Sequence, residues 1–368
     1  MSKNAQNKDH SSRRGLLAAT AAGAAGLVLA RPAVAQERLR LTMVTAWPKG
    51  APGVGTNARR FADRLVAMSG GRIEVRFFAA GELVPPFEAL DAVQGGTADL
   101  AHATSYYWVG KSPAFHFFTG VPFGLSAVEF VAWLRFGGGQ ALWEELYAPF
   151  GVRPFFAGSS GTQAGGWFNR EINEVADFQG LKFRISGLGG EVLRRLGAIP
   201  VLTPPGEIAP ALAAGTVDGA DWVGPWNDIA FGLQKFAKHY YMPGFHEPGP
   251  ALEVLVNRER YEALPADLQA VIRAAAEASA LETLADFTFH NIETFATMAE
   301  KHGVDVRRFP DPVVARLGAE SKAVLAEVGA GDPLAAKVRD AYLAFTAKAR
   351  AYAPYAELGS LAMRELAG

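Results

Sequence analysis

The strongest constraint on the fold is an alternation of strand, helix, strand, helix and strand that begins near residue 38. The stretch RLRLTMVTAWP predicts a buried strand that ends at Pro48. The helix that follows stops at paired glycines, and the next strand alternates Ile73, Val75 and Phe77. A second helix begins with proline, stops at glycine and leads to another short strand. This alternation is typical of a parallel α/β sheet.

Two short segments of similar sequence predict a second lobe of the same kind. ALDAVQGGTADLAHATSYYW (residues 89–108) resembles ALAAGTVDGADWVGPW (residues 211–226). Each contains a helix end, Gly-Thr-x-Asp, a short apolar step and then aromatic residues. Open α/β sheets bind ligands in the crevice beyond the carboxyl ends of their strands. We therefore expect both segments to end at a common cleft.

The segment LKFRIS (residues 181–186) predicts a strand that carries one arginine. Leu181, Phe183 and Ile185 would face one side, and Arg184 the other. On this stretch alone two interpretations stay open. Arg184 belongs either to the polar face of an edge strand or to the mouth of a cleft.

The N-terminal residues have the features of an export signal rather than of a folded domain. Arg13 and Arg14 precede an apolar run over residues 15–30, and Ala-Val-Ala at residues 33–35 is a cleavage site of the A-x-A kind. The run is short and rich in Ala and Gly for a membrane anchor, and an uncleaved signal anchor stays open as the alternative. Paired arginines indicate twin-arginine export. We predict a twin-arginine signal peptide at residues 1–35 and a periplasmic mature protein.

Charge and cysteine content exclude several functional classes. The chain has 36 basic and 37 acidic side chains, and removal of the signal peptide leaves a net charge of −5. A mildly acidic protein is not suited to bind nucleic acid or an anionic membrane. The sequence contains no cysteine, which excludes disulfides, thiolate metal sites and thiol nucleophiles. The length is sufficient for two lobes of ordinary size.

The short motifs of common enzymes are missing. GSSGT does not match G-x-S-x-G, and the chain contains neither a Walker A motif nor G-x-G-x-x-G. His246 precedes Glu247, but no second histidine follows at the offset that H-E-x-x-H requires. A catalytic triad assembled from distant segments stays open.

Three side chains with oxygen atoms lie in turn-like segments and are candidates for binding. Gln163 lies in the glycine-rich SGTQAGG, Asp221 lies beside Trp222, and Glu247 precedes Pro248. Oxygen donors of this kind suit a hard cation, Na⁺ or Ca²⁺. Taken singly, Gln163 is also compatible with an ordinary turn, and Asp221 and Glu247 with surface acids. Aromatic side chains with a polar atom, useful in a small pocket, cluster at the two similar strand ends: Tyr106, Tyr107, Trp108, Trp222 and Trp226.

The order of these segments resembles the TRAP transporter solute-binding proteins, the extracytoplasmic receptors of tripartite ATP-independent periplasmic transporters. The resemblance covers nearly the whole mature chain, and its most specific parts are the arginine-containing strand and GTVDGADW. SYYWVGK, GTQAGGWF and GADWVGPWND are most similar to the members that bind α-keto or 2-hydroxy monocarboxylates through a cation.

The resemblance implies an α/β fold of the two-lobe periplasmic binding protein type (type II-like), with a hinge and a long helical C-terminal region. Lobe I would comprise residues 36–158 with about 247–300, and lobe II residues 159–246. Residues 301–368 would form a helical region that packs on the lobes or on a dimer partner.

The resemblance also assigns roles to the candidate residues. Arg184 matches the family arginine that pairs with the substrate carboxylate, and Tyr106 or Tyr107 would complete the pocket wall, together with Trp222. Asp221 stands where some relatives carry Glu, so the choice between Na⁺ and Ca²⁺ stays open. The implied ligands of a cation that bridges to the substrate are Gln163, Asp221, the Trp222 backbone carbonyl and Glu247.

Together these features predict a receptor rather than an enzyme. It would bind a small 2-oxo or 2-hydroxy monocarboxylate, similar to pyruvate or lactate, and deliver it to TRAP membrane permease subunits without catalysis. The resemblance implies a homodimer that forms through the helical tail. Two alternatives stay open: a periplasmic enzyme that uses the same cleft and cation, and a sensor subunit whose closed form docks onto a receptor.

Overall fold

The structure, a computed structural model, describes residues 38–368 and contains two β-sheets. The predicted signal peptide lies outside the described residues. The strands are β1 (Leu39–Thr45), β2 (Ile73–Phe78), β3 (Leu100–Ala103), β4 (Val152–Ser159), β5 (Gly166–Phe168), β6 (Lys182–Arg184), β7 (Ile199–Val201), β8 (Gly219–Ala220), β9 (His239–Tyr241), β10 (Ala251–Asn257) and β11 (Asp305–Arg307).

The first sheet has the order β2-β1-β3-β10-β4. The predicted parallel sheet is confirmed for its first three strands, since β1 pairs in parallel with both β2 and β3. β10 returns antiparallel between β3 and β4, so the whole sheet is mixed. Met43, Leu100 and Val254 are completely buried along its centre. This burial explains why the central positions of these strands are apolar.

The second sheet has the order β11-β9-β5-β8-β6-β7. β6, the predicted arginine strand, lies between β7 and β8 and is parallel to both. β5 runs antiparallel to β8 and β9. The sequence predicted a helical region over residues 301–368. The structure corrects this prediction, because Asp305–Arg307 forms the strand β11 at the edge of this sheet. Three residues are too few for a clear alternation of polar and apolar positions.

Helices cover both sheets and form most of the C-terminal region. They are α1 (Val54–Met68), α2 (Ala89–Gln94), α3 (Ala127–Phe136), α4 (Gly139–Tyr147), α5 (Gly187–Arg195), α6 (Ile208–Ala213), α7 (Pro225–Ala230), α8 (Arg258–Glu262), α9 (Ala266–His302), α10 (Asp311–Glu327), α11 (Pro333–Tyr352) and α12 (Glu357–Leu366). Within residues 38–368, no helix combines the length and the hydrophobicity that a membrane span requires.

The long helix α9 contacts β4 of the first sheet and the helix α7, which follows β8 of the second sheet. Thr283 of α9 packs against Gly158 of β4 so closely that a Cβ atom at position 158 would lie 2.6 Å from the Thr283 Cβ atom. On the side of the second sheet, the Trp226 ring of α7 stacks on the His290 ring of α9, with 4.2 Å between ring centroids. The helix ends at Gly303, whose φ of +63° is costly for other residues. α9 therefore braces the two sheets.

Candidate ligand and cation site

The two segments of similar sequence end at one cavity, as the sequence predicted. The turn Ser105–Trp108 follows β3, and Asp221 follows β8 directly. The cavity has a volume of about 20 Å³, which is room for one or two water molecules. Its lining includes five of the predicted site residues: Tyr106, Tyr107, Gln163, Trp222 and Glu247.

Arg184 is buried beside this cavity and does not lie on the solvated face of an edge strand. Its side chain is only 1% exposed, and β6 is flanked by strands on both sides. Nη1 donates to the Asp221 backbone oxygen at 2.7 Å and lies 3.4 Å from Asp221 Oδ2. Nε and Nη2 donate to the Thr203 carbonyl oxygen at 3.4 and 3.3 Å. These contacts fix the plane of the guanidinium.

Asp221, His246 and Glu247 form a buried cluster beside Arg184. One ligand atom from each residue lies within 4.8 Å of the other two, and none of the three residues is more than 2% exposed. His246 Nε2 lies 3.1 Å from Asp221 Oδ1. Among the described residues, Glu247 Oε2 and Gln163 Oε1 are buried and accept no hydrogen bond. Buried oxygen atoms without donors are the arrangement that a hard cation satisfies.

Two groups of the cluster, Glu247 and His246, have raised pKa values. Burial raises the pKa of Glu247 to about 8, and repulsion by the Asp221 carboxylate acts in the same direction, while His246 opposes the shift. Burial alone would lower the pKa of His246, but the attraction and hydrogen bond of Asp221 outweigh burial, and the pKa is raised. A cation that binds here must therefore displace protons.

Close backbone packing places Gln163 and Glu247 next to each other. The Gln163 N–H donates to the Glu247 carbonyl oxygen at 3.1 Å, and the Gly244 N–H donates to the Gln163 carbonyl oxygen at 2.8 Å. On the opposite side, a Cβ atom at Gly120 would lie 2.7 Å from Glu247 Cγ. A glycine at position 120 therefore leaves the space that the Glu247 side chain occupies.

Aromatic rings from both halves of the chain form the wall of the cavity. Tyr106 and Tyr107 both line it, with 5.1 Å between their ring centroids. Trp47 lies 6.1 Å from Tyr107 and 6.4 Å from Trp222 by ring centroids, and its Nε1 donates to His102 Nδ1 at 2.9 Å. Burial raises the pKa of both tyrosines, so their hydroxyl groups stay protonated and available as donors.

Two aromatic residues of the predicted cluster lie elsewhere. Trp108 donates through Nε1 to the buried Tyr147 hydroxyl at 2.7 Å, and Trp226 stacks on α9. Conversely, no pattern in the sequence marks Trp47, which lies outside the similar segments, as a residue of the site. His246 lacks the H-E-x-x-H spacing, and its position next to Glu247 is the sequence signal that points to the cluster.

Comparisons with known proteins identify the family of the chain. Residues 43–332 match the family described as bacterial extracellular solute-binding protein, family 7. The chain belongs to this family. Its members are extracytoplasmic solute-binding receptors, and the predicted kinship with TRAP transporter solute-binding proteins is confirmed.

One curated relative and two solved structures are similar to this solute-binding protein over most of its length. A protein of Nostoc sp. named monocarboxylate 2-oxoacid-binding periplasmic protein is 47% identical over 260 residues, which are 71% of each chain. A TRAP periplasmic solute-binding protein from Pseudoalteromonas atlantica, solved with bound sodium and pyruvate, is 36% identical with a TM-score of 0.85, over 88% of this chain and 98% of that one.

A second solved structure holds a different acid and a different cation. The TRAP transporter solute-binding protein from Bordetella bronchiseptica is 34% identical with a TM-score of 0.86, over 90% of this chain and 98% of that one. It is described as a mixed-occupancy dimer with copurified calcium and picolinate in one active site and an apo site. The predicted fold class, a two-lobe α/β periplasmic binding protein with a helical C-terminal region, is confirmed by these structures.

Proposed function

We propose that this protein is the solute receptor of a TRAP transporter and binds a small 2-oxo or 2-hydroxy monocarboxylate, pyruvate-like, together with one cation. The observation that carries the proposal is the buried Arg184 guanidinium beside the Asp221 and Glu247 carboxyl groups and the Gln163 side-chain oxygen, which accepts no hydrogen bond. A guanidinium next to such a group of oxygens suits an anion that is bridged to a cation. The acids named for the relatives support the same ligand class.

Arg184 would orient the ligand carboxylate. A guanidinium has five N–H groups, and its four contacts to Asp221 and Thr203 leave one of them available. The 3.4 Å contact to Asp221 Oδ2 is among the longest, so a ligand carboxylate would replace it and gain two parallel donors. Burial strengthens such a pair, and a bound acid without this arginine would keep an unpaired charge.

The cation would select the ligand class. We assign as its ligands Gln163, Asp221, the Trp222 backbone carbonyl and Glu247. A cation held here can accept one carboxylate oxygen and the adjacent keto or hydroxyl oxygen of the same acid. Pyruvate and picolinate, the acids of the two solved relatives, both have a second donor atom next to the carboxylate. Acetate lacks that atom and should bind weakly.

The charges permit either Na⁺ or Ca²⁺. Two protein carboxylates and the ligand carboxylate are opposed by one guanidinium and the cation. Ca²⁺ brings this sum to zero, whereas Na⁺ leaves one negative charge beside His246, whose pKa is raised. Both ions occur in the solved relatives, and we propose that this site accepts one of the two.

The receptor would act in the periplasm, after export through the twin-arginine signal, and would pass its ligand to the permease subunits without catalysis.

Among the described residues of the cavity wall, the Ser160 hydroxyl accepts a hydrogen bond from Gln163 Nε2 at 3.1 Å and donates to the Gly161 carbonyl oxygen, not to a base. A hydroxyl in that state is not activated as a nucleophile.

A homodimer would cover the exposed apolar face of α12. None of the residues of this helix is buried, and Leu358, Leu361 and Leu366 are 59%, 48% and 89% exposed. Light scattering after gel filtration should show a dimer that Leu361→Glu converts to a monomer. Ser360→Glu adds the same charge to the opposite face and should stay dimeric. A wild-type monomer at micromolar concentration would contradict this assignment.

A thermal-shift experiment on the mature protein tests the function. We expect pyruvate to raise the Tm in Na⁺ or Ca²⁺ but not after chelation in a buffer free of sodium, and acetate to have no effect. A ligand at a hundred times its Kd stabilises the folded state by about 2.7 kcal/mol. The absence of any shift with pyruvate, lactate and longer 2-oxo acids would refute the proposal. Conversion of the bound acid over hours, followed by NMR, would favour an enzyme instead.

A further inference from the structure

A buried carboxyl group lies beneath the turn Ser105–Trp108, which carries the two tyrosines of the cavity wall. The Ser105 hydroxyl donates to Glu253 Oε2 at 2.6 Å. The Tyr147 hydroxyl lies 2.8 Å from both Glu253 carboxyl oxygens and accepts from Trp108 Nε1 at 2.7 Å. Glu253 is therefore connected to both ends of the turn, directly at Ser105 and through Tyr147 at Trp108.

An irregularity in the first sheet lies at the same residue. β10 pairs with β4 at Leu252↔Gly158 and then at Glu253↔Phe156, so one residue of β4 is skipped. On the other side Glu253 pairs with Ala103, the last residue of β3 before the turn. Bulges of this kind change the direction of a side chain and are common next to binding sites.

Glu253 is the one polar side chain among the buried apolar residues of β10. It is completely buried, as are Val254 and Leu255, and burying a carboxyl group is unfavourable compared with an apolar side chain of similar size. The hydrogen-bond partners that offset this burial, Ser105 and Tyr147, both lead to the turn. Core packing alone gives no reason for an acid at this position.

We propose that Glu253 is a positioning residue for ligand selection: it fixes the turn Ser105–Trp108 and so sets the distance of Tyr106 and Tyr107 from the bound acid. Glu253 touches neither the ligand nor the cation. The inference rests on the proposed function, because it concerns the fit of the acid in the same cavity. Loss of the network should therefore change affinity and selectivity for acids, and should leave binding of the cation alone unchanged.

The test compares two tyrosine-to-phenylalanine variants. Tyr147→Phe removes the hydroxyl that joins Glu253 to Trp108. Tyr342→Phe removes another buried hydroxyl, which accepts from the Leu125 N–H at 2.9 Å and lies outside the cavity wall. Tyr147→Phe loses the hydrogen bonds to Glu253 and from Trp108, whereas Tyr342→Phe loses one, so Tyr147→Phe should lose more stability, and both variants are titrated well below their melting temperatures. Isothermal titration then measures the Kd for pyruvate and for 2-oxobutyrate at saturating Ca²⁺, and the Kd for Ca²⁺ alone.

We expect Tyr147→Phe to weaken pyruvate binding about tenfold and to change the ratio of the two acid affinities, with an unchanged Kd for Ca²⁺. Tyr342→Phe should keep all three values within about twofold of the wild type. If Tyr147→Phe behaves like Tyr342→Phe, the inference is overturned. A wild type that binds neither acid would instead refute the proposed function.

Variants of Glu253 itself separate positioning from packing. Burial raises the pKa of Glu253 to about 8, so the group is neutral at pH 7 and glutamine presents a similar set of donors and acceptors. Glu253→Gln should therefore restore pyruvate affinity that Glu253→Met loses. Equal affinity in the two variants, at similar Tm, would also overturn the inference. If Glu253→Met does not fold, Ser105→Ala is used in place of Glu253→Met, because it removes the direct hydrogen bond between the turn and Glu253.

Discussion

Binding of the cation should weaken as the pH falls from 9 to 6, because the Glu247 carboxyl group must lose a proton before it binds a metal ion. Burial and the nearby Asp221 raise the pKa of Glu247 to about 8, from an ordinary value of 4.5. An ordinary glutamate would be ionised throughout this range. The raised pKa of His246 acts in the same direction, since a charged imidazole repels the cation.

The size of the effect follows from competition between one proton and the cation. Below the pKa of Glu247, the apparent affinity should fall about tenfold for each pH unit, equivalent to about 1.4 kcal/mol per unit. At pH 6 the cation should thus bind about a hundredfold more weakly than at pH 9. The released protons are countable: about one per cation at pH 6 to 7, and close to none at pH 9.

Isothermal titration of the chelator-treated protein with Ca²⁺, in two buffers of different ionisation enthalpy, measures both quantities. Glu247→Gln should bind Ca²⁺ weakly, and its affinity should depend on pH much less than that of the wild type. Glu253→Gln serves as the control, because it removes another buried carboxyl group with a pKa of about 8 that lies outside the cation site. A wild-type Kd that stays within twofold between pH 6 and 9, without proton release, would refute the reasoning.

Three further predictions concern stability, Arg184 and Gly120. Without cation, the free energy of unfolding, measured by urea denaturation, should fall as the pH rises from about 4.5 to about 8. The reason is that the folded state keeps protons on Glu247, Glu253 and Asp228 that the unfolded state has lost. The pKa of Asp228 is raised to about 7. A flat profile would contradict the raised pKa values. Arg184→Lys should bind pyruvate at least about tenfold more weakly in titration calorimetry, since one ammonium group cannot reproduce the fork, and near-wild-type affinity would remove Arg184 from the site. Gly120→Ala, whose new methyl would lie 2.7 Å from Glu247 Cγ, should weaken Ca²⁺ binding about tenfold, whereas Gly110→Ala, with no neighbouring atom within 4 Å, should not; equal affinities would contradict the crowding.

The sequence predicted the first part of the fold because that part depends on local patterns. The strands β1, β2 and β3 and the helices between them follow the alternation of apolar residues and the glycine stops. β11 was missed, since three residues at a sheet edge are defined by their pairing with His239–Tyr241 and not by their own pattern. The antiparallel insertion of β10 was not specified either, because its neighbours come from distant parts of the chain.

Some residues of the candidate site could be selected from the sequence, because a charged side chain next to apolar residues has few possible roles. Arg184 in an apolar strand and Asp221 after a short apolar step were each compatible with a surface position, and their assignment to one site came from the family resemblance. The structure brings both together with Gln163 and Glu247. Trp47 could not be predicted, because a tryptophan at the end of a strand is usually part of the core. Glu253 could not be predicted as a positioning residue, because its partners Ser105 and Tyr147 lie far away in the sequence.

The place of β10 in the first sheet also determines when the protein can fold. β3 ends at Ala103 and β4 at Ser159, yet the strand that joins them begins only at Ala251. During synthesis, both strands therefore leave the ribosome with an open edge on the side that β10 will occupy, and open edges attract strands of other chains. The five strands of the first sheet can therefore come together only after Asn257 has emerged.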